Sequence, residues 1–153
     1  MEIVFATSSY LVLPFWALLI FLPGWRVTKR IMSTPLSVAL PAACYAALAL
    51  PRLLEIWPVV SRPGLAGIAG LLGSPAGATI AWFHFLAFDL FVGRWIYLDS
   101  RERGISAWLM APVLYLTLML GPCGFLLYLL IRSLKGYLAG AKALPVNTPF
   151  SNN

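Results

Sequence analysis

Charged side chains are scarce in this sequence, and acidic ones are the scarcest. Asp and Glu number 5 against 11 Lys and Arg, and only 10% of the 153 residues are charged, where a soluble domain has about 25%. Hydrophobic residues make up 61% of the chain, which is more apolar surface than a soluble chain of this length can bury. The composition therefore indicates a polytopic membrane protein with one domain.

Patterns for metal binding, disulfides and targeting are missing as well. Cys44 and Cys123 both fall inside apolar runs, and the sequence contains no CxxC motif and no Cys/His cluster. Neither a zinc site nor a disulfide framework is indicated. The net charge of +6 comes from basic residues at the ends of apolar runs, so the expected partners are membrane lipids and not nucleic acid. No basic or Arg/Ser-rich segment precedes the first apolar run, so no cleavable targeting segment is expected.

Four apolar runs predict four transmembrane helices, since one bilayer crossing takes about 20 residues. Residues 57–74, between the second and third runs, hold a shorter glycine-rich stretch. We predict a short interfacial helix there, with a re-entrant segment as the alternative. The prediction is one all-α, four-helix membrane domain over residues 1–135 and a polar, flexible tail over 136–153. The four predicted spans are Ile3–Leu22, Pro35 to about Leu54, Pro75 to about Leu98, and Ser106 to about Ile131.

Four spans place both termini on one side of the membrane. Basic residues are then divided evenly and do not decide the orientation. Loop one, PGWRVTKR at 23–30, and loop three, DSRERG at 99–104, follow the first and third spans. The basic cluster in loop one favours a cytoplasmic location for both loops. The two basic groups are Arg26, Lys29, Arg30, Arg101 and Arg103 on one side, and Arg52, Arg62, Arg132, Lys135 and Lys142 on the other.

The third span carries His84, Asp89 and Arg94. A charge near the centre of a membrane helix costs roughly 3 kcal/mol on insertion scales, so such residues face the bundle interior or a wet cavity. At about 100° per residue, His84 and Asp89 lie about 140° apart, as do Asp89 and Arg94. Their partners must therefore come from other helices. Arg94 lies close enough to loop three to snorkel, with Asp99 as its expected partner. A purely structural role is the alternative for all three.

The sequence GPCG at 121–124 is expected to break the fourth span in mid-membrane. Pro122 has no N–H to donate and leaves a carbonyl one turn earlier without its helical partner. Lipid cannot satisfy that carbonyl, whereas a cavity or a neighbouring helix can. We predict that Gly121, Pro122 and Gly124 are structural interface residues beside a polar cavity.

The sequence AWFHFLAFDLFVGRWIYLD at 81–99 resembles the abscisic-acid-deficient-four family of small membrane proteins, also called neoxanthin-synthase-like. The similarity extends to LPFWALLIFLPGWRVTKRIM at 13–32, to LAGIAGLLGS at 65–74 and to GPCGFLLYLLIR at 121–132, in the same order. Its most specific part runs from Trp82 to Phe91. Carried over by position, the motif residues are Trp82, His84, Asp89 and Phe91.

The resemblance implies a multi-pass membrane protein of carotenoid metabolism. Plant members are plastid envelope proteins needed to form neoxanthin from violaxanthin, which is a xanthophyll isomerisation. This chain lacks a transit peptide, so the resemblance implies a bacterial, cyanobacterial-type member in the plasma membrane or thylakoid. Many such organisms do not make violaxanthin, so the plant substrate does not transfer directly.

Acid/base chemistry at the third span fits this expectation. Converting an epoxy-xanthophyll to an allenic alcohol needs an acid at the epoxide oxygen and a base that removes a proton from the polyene end. We predict Asp89 as the acid and His84 as the base, with no cofactor and no metal. The carotenoid end-group is expected to contact Trp82, Phe85, Phe88, Phe91, Gly93 and Trp95.

Three alternatives remain open. The first is a carotenoid-binding or scaffold protein that supports a partner membrane protein. The second is a proton-coupled transporter, which needs more polar residues along a path. The third concerns the aromatic side chains alone, because aromatics at helical spacing also form plain core or lipid contacts.

Overall fold

A computed structural model of the chain describes residues 1–143, which are helical almost throughout and contain no strand. The all-α prediction is confirmed. Eight α-helices and one short 3-10 turn follow one another with connections of a few residues. They are α1 (Glu2–Phe21), α2 (Arg26–Ser33), α3 (Leu36–Ala49), the turn Leu50–Arg52, α4 (Leu53–Ser61), α5 (Leu65–Gly73), α6 (Pro75–Glu102), α7 (Ala107–Met119) and α8 (Gly121–Ala143).

Within residues 1–143, three helical segments are long and apolar enough to cross a membrane: Glu2–Phe21, Leu36–Ser61 and Pro75–Glu102. They coincide with the first three predicted spans, although the second and third extend further than the sequence indicated. Large apolar side chains remain on their outer surfaces, such as Leu54 at 91% exposed. Hydrocarbon chains of lipid suit such a surface better than water does.

Helix α6 lies at the centre of the bundle and packs against α1, α3, α5, α7 and α8. It begins where the sequence predicted, at Pro75, because Ser74 caps it by accepting a hydrogen bond from the Gly77 N–H at 3.0 Å. A hydroxyl cap followed by proline in the first turn is a favourable helix start. The helix continues into the predicted loop three and ends at Glu102. Gly104, in the connection to α7, has a φ of +60°.

The end of α6 is tied to the end of α1. Tyr97 donates its hydroxyl hydrogen to the Pro23 carbonyl at 2.8 Å, and Arg101 donates to the same carbonyl at 3.0 Å. Loops one and three therefore lie on the same side, as the sequence predicted. Helix α2, in the stretch predicted as a loop, also lies on this side.

The predicted fourth span is replaced by a helical hairpin. The chain turns at Leu120, whose φ and ψ of −142° and 66° are not helical. Gly124 then packs so closely on the Thr117 backbone that a Cβ at Gly124 would overlap it. Fifteen residues beyond the turn, Lys135 donates to the Arg103 carbonyl at 2.6 Å. Helix α8 therefore returns to the side from which α7 entered, and a single crossing from Ser106 to Ile131 is wrong.

The hairpin changes two further expectations. Residues 136–143, predicted as part of a flexible tail, continue α8. The remainder of the predicted tail lies outside the described residues. Because α8 returns beside α6, the basic side chains of Arg132 and Lys135 lie on the side of loops one and three. Four spans had placed them on the other side, so the basic residues are no longer divided evenly.

Candidate functional site

Asp89 lies on α6 at the depth where the α7–α8 hairpin turns. Its side chain is half-buried and lies against Gly121, the first residue of α8. The approach is so close that a Cβ at Gly121 would overlap the Asp89 carboxyl oxygen Oδ1. The GPCG sequence and the acidic residue are therefore neighbours, and only glycine leaves room for the contact.

The α8 N-terminus gives Asp89 a favourable electrostatic environment. The first N–H groups of a helix lack intrahelical acceptors, and the helix dipole places partial positive charge at that end. Pro122 falls in the first turn of α8, where its missing N–H costs nothing. Among the described residues, the Asp89 carboxyl accepts no hydrogen bond and forms no ion pair. The Cys123 and Gly124 N–H groups donate to the Leu120 carbonyl at 2.8 and 3.2 Å, so α8 offers the carboxyl the positive end of its dipole and no hydrogen bond.

His84 occupies a different environment on the same helix. Its ring stacks on Phe88, with centroids 4.6 Å apart at 27°, and meets the edge of Tyr45 from α3 at 5.5 Å. The imidazole is exposed on the bundle surface and forms no hydrogen bond within residues 1–143. His84 and Asp89 are not hydrogen-bonded to each other, in keeping with their predicted angular separation.

One cavity nevertheless has both side chains in its wall. We call it the Asp89 cavity; it measures about 690 Å³, which is within the range of small-molecule sites, roughly 300–1,000 Å³. Its wall is largely apolar, and its polar side chains are few. It is lined by Ser9, Val12, Leu13, Trp82, His84, Phe85, Leu86, Phe88, Asp89, Val92, Leu118, Met119, Gly121, Pro122 and Phe125.

The predicted end-group contacts divide between the cavity and other surroundings. Trp82, Phe85 and Phe88 line the Asp89 cavity, whereas Phe91, Gly93 and Trp95 do not. Gly93 instead faces the buried Trp16 ring, where an added Cβ would lie 2.5 Å from the ring edge. Trp95 packs on Tyr128 at a centroid distance of 5.5 Å. Gly93 and Trp95 thus pack helices together in this structure.

The expected ion pair between Arg94 and Asp99 is absent, and each has another partner. Arg94 donates to the backbone carbonyls of Thr34 and Ser33 at 3.2 and 3.3 Å, which fastens α6 to the start of α3. Helical geometry explains the separation, because positions five apart point about 140° away from each other.

Asp99 joins α6 to α8 through a cluster that sequence reasoning missed. Its Oδ2 accepts from Arg103 at 2.8 Å, pairs with Arg132 at 3.4 Å and accepts the Tyr128 hydroxyl hydrogen. The Arg132 guanidinium also lies over the Trp95 ring at 5.5 Å. We call Asp99, Arg103, Tyr128 and Arg132 the Asp99 cluster. The i,i+4 spacing of Asp99 and Arg103 was a sequence signal for this ion pair. The contacts of Tyr128 and Arg132 with Asp99 could not be predicted, because they depend on the reversal of the chain between α7 and α8.

Known proteins share the part of this chain that holds Asp89 and most of the Asp99 cluster, although Arg132 lies beyond it. A profile of the family described as ABA DEFICIENT 4-like matches residues 3–128. The chain belongs to the ABA DEFICIENT 4-like family. The match runs from α1 into the second turn of α8 and so includes His84, Asp89, Gly121 and Tyr128.

A curated relative of this ABA DEFICIENT 4-like protein is the Arabidopsis thaliana "Protein ABA DEFICIENT 4, chloroplastic". It is 31% identical over 109 residues, which are 67% of this chain and 50% of the relative. The chain therefore spans about half the length of the relative it matches. No solved structure matches this member of the family.

Proposed function

We propose that this protein binds a carotenoid end-group in the Asp89 cavity and isomerises it by acid/base chemistry within the membrane. The observation that carries the proposal is the half-buried carboxyl of Asp89 at mid-depth, in the wall of an apolar cavity and against the α8 N-terminus. Family membership supports a xanthophyll as the substrate class, because the resemblance implies xanthophyll metabolism. The cavity supplies room for an oxygenated ring, and its aromatic wall suits an apolar ligand.

Asp89 serves as the acid in this proposal. It donates a proton to the epoxide oxygen while the adjacent C–O bond breaks. The carboxylate that remains lies at the positive end of α8, which stabilises it. A carboxylate produced in an apolar site without such a partner is costly, so the hairpin tip makes the proton transfer easier.

His84 serves as the base and removes a proton from the carbon next to the developing cation, which completes the allenic alcohol. One proton is gained and one is lost, so the substrate and the product are isomers. The proton then returns from His84 to Asp89 before the next turnover. No electron is transferred, so the step itself calls for no redox partner.

A second candidate function has its own supporting observation. The His84 ring is stacked on Phe88 and exposed, and no hydrogen bond within the described chain orients its nitrogens. A histidine base usually has one nitrogen fixed by a partner. This favours a protein that binds the carotenoid and presents it to a partner membrane enzyme without converting it.

Pigment turnover by the purified protein distinguishes the two functions. The protein, reconstituted in lipid nanodiscs, is incubated with an epoxy-xanthophyll, and the products are separated by chromatography. More than one product molecule per protein supports an isomerase, whereas pigment bound at a fixed ratio without product supports the binding function. Absence of both pigment binding and product formation contradicts the whole proposal.

A further inference from the structure

A second apolar cavity lies beside the first, on the other side of two shared side chains. We call it the α5 cavity; it measures about 280 Å³ and lies among α3, α4, α5 and α6. His84 and Phe85 line both cavities. Both residues are exposed, Phe85 at 54%, and their two rings form a wall common to both spaces.

The two cavities follow each other along α6. The α5 cavity is lined from Gly77 to Phe85 and the Asp89 cavity from Trp82 to Val92. From Gly77 to Val92 the helix rises about 22 Å at ~1.5 Å per residue. That is most of the hydrocarbon thickness of a bilayer, roughly 30 Å. A long straight ligand lying beside α6 fits this path, whereas a compact ligand needs only one of the cavities.

We infer that the two cavities form one site for a linear conjugated polyene with an oxygenated ring at its end. The ring lies at Asp89, and the polyene crosses the rings of His84 and Phe85 into the α5 cavity. This inference rests on the proposed function and adds where the rest of the ligand lies. It assigns a role to α5, which packs on α6, and to α4, which packs on α5.

The path explains the aromatic environment of His84. Its ring lies between Phe88 at 4.6 Å and Tyr45 at 5.5 Å, and so belongs to an aromatic surface over which a flat polyene can lie. An acidic group for the oxygenated ring is available at one end only, since Asp89 lines the first cavity and the wall of the α5 cavity offers Tyr45 and His84 but no acidic side chain. The ligand therefore has a defined direction along α6.

Filling the α5 cavity tests the inference. Ile68→Trp on α5 and Val60→Trp on α4 place a large ring in its lining. Leu65→Trp is the matched control, because Leu65 lies on α5, is 89% exposed and is not part of the lining. Two ligands are compared in nanodiscs: a full-length xanthophyll, followed by its induced circular dichroism, and an ionone-sized ring compound without the polyene, followed by saturation-transfer NMR.

We expect each cavity-filling variant to lose the induced circular dichroism of the xanthophyll while keeping the signal of the ring compound. The Leu65→Trp variant should keep both signals. Cavity-filling variants that keep the dichroism overturn the inference, as does a wild type that binds the ring compound but not the xanthophyll. Loss of both ligands in both variants, with a normal helical spectrum, also overturns it, because the cavities are then not separable parts of one site.

A lipid acyl chain is the competing occupant of the α5 cavity, and mass spectrometry of co-purifying phospholipid detects it. If the variants lose that phospholipid while the xanthophyll signal is unchanged, the occupant is the acyl chain and the inference is overturned. If the wild type binds the xanthophyll across both cavities but does not convert it, the acid/base part of the proposed function fails and the inference stands.

Discussion

At the scale of single residues, the contact between Asp89 and Gly121 joins the candidate chemistry to the fold. Asp89 was recognisable in the sequence because an acidic residue stands out in an apolar run. Its neighbour was not recognisable as a contact, since nothing in a sequence says that a residue 32 positions later returns to the same depth. Of the six residues predicted to contact the end-group, three line the Asp89 cavity, because position along α6 was visible in the sequence but the helices packed around it were not.

Gly121→Ala should destabilise the protein by about 1–3 kcal/mol, since the added methyl group overlaps the Asp89 carboxyl and the helices must shift. Thermal unfolding in detergent, followed by circular dichroism, measures the change.

Gly136→Ala is the matched control, because it lies on the same helix with no atom within 4 Å of an added Cβ. There alanine should be neutral or stabilising by roughly 0.5–1 kcal/mol. Equal midpoints for the two variants would show that Asp89 and Gly121 are not in contact.

At the scale of secondary structure, the largest difference between the sequence prediction and the structure is the α7–α8 hairpin, where a single membrane-spanning helix was predicted. The GPCG sequence correctly predicted a break in the helix. A glycine–proline pair, however, is equally compatible with a kinked helix that crosses the membrane and with a chain that reverses direction. Hydropathy does not distinguish them either, since both halves remain apolar. The reversal depends on contacts between distant positions: Gly124 on Thr117, Tyr128 on Asp99 and Lys135 on Arg103.

The Asp99 cluster should hold α8 in place. Asp99→Asn removes the ion pairs to Arg103 and Arg132 and should cost about 1–2 kcal/mol, as lost charge-assisted hydrogen bonds do at a partly exposed site. Hydrogen exchange followed by mass spectrometry should show faster exchange in peptides covering 121–135.

Glu102→Gln serves as the comparison, because Glu102 is exposed and forms no ion pair among the described residues. Its exchange should match that of the wild type. If Asp99→Asn also leaves peptides 121–135 unchanged, the cluster does not hold the hairpin.

At the scale of the whole molecule, the hairpin removes the even division of charge that the sequence indicated. With α8 returning, only Arg52 and Arg62 remain, within the described chain, as basic side chains of the opposite end. The described basic residues on the side of loops one and three are Arg26, Lys29, Arg30, Arg94 through its bonds to the Ser33 and Thr34 carbonyls, Arg101, Arg103, Arg132 and Lys135. The excess of positive charge predicts that this side is cytoplasmic, or stromal in a plastid.

Cysteine labelling tests this topology in a background without Cys44 and Cys123. Ser33→Cys and Gly136→Cys should react from the cytoplasmic side, and Ser61→Cys from the opposite side, since all three positions are exposed. An impermeant maleimide applied to sealed vesicles of known orientation gives the answer. Labelling of positions 61 and 136 from the same side would mean that α8 crosses the membrane and that the hairpin is wrong.

Pigment conversion by an Asp89→Asn variant shows whether Asp89 acts as an acid in a ligand-binding cavity. Asparagine keeps the shape of the side chain beside Gly121 but has no acidic proton. Conversion should fall by about 10²–10⁴-fold, the usual contribution of a general acid, while the variant still accumulates in the membrane and still binds pigment. An Asp89→Asn protein that binds and converts the xanthophyll at the wild-type rate would contradict the acid role of Asp89.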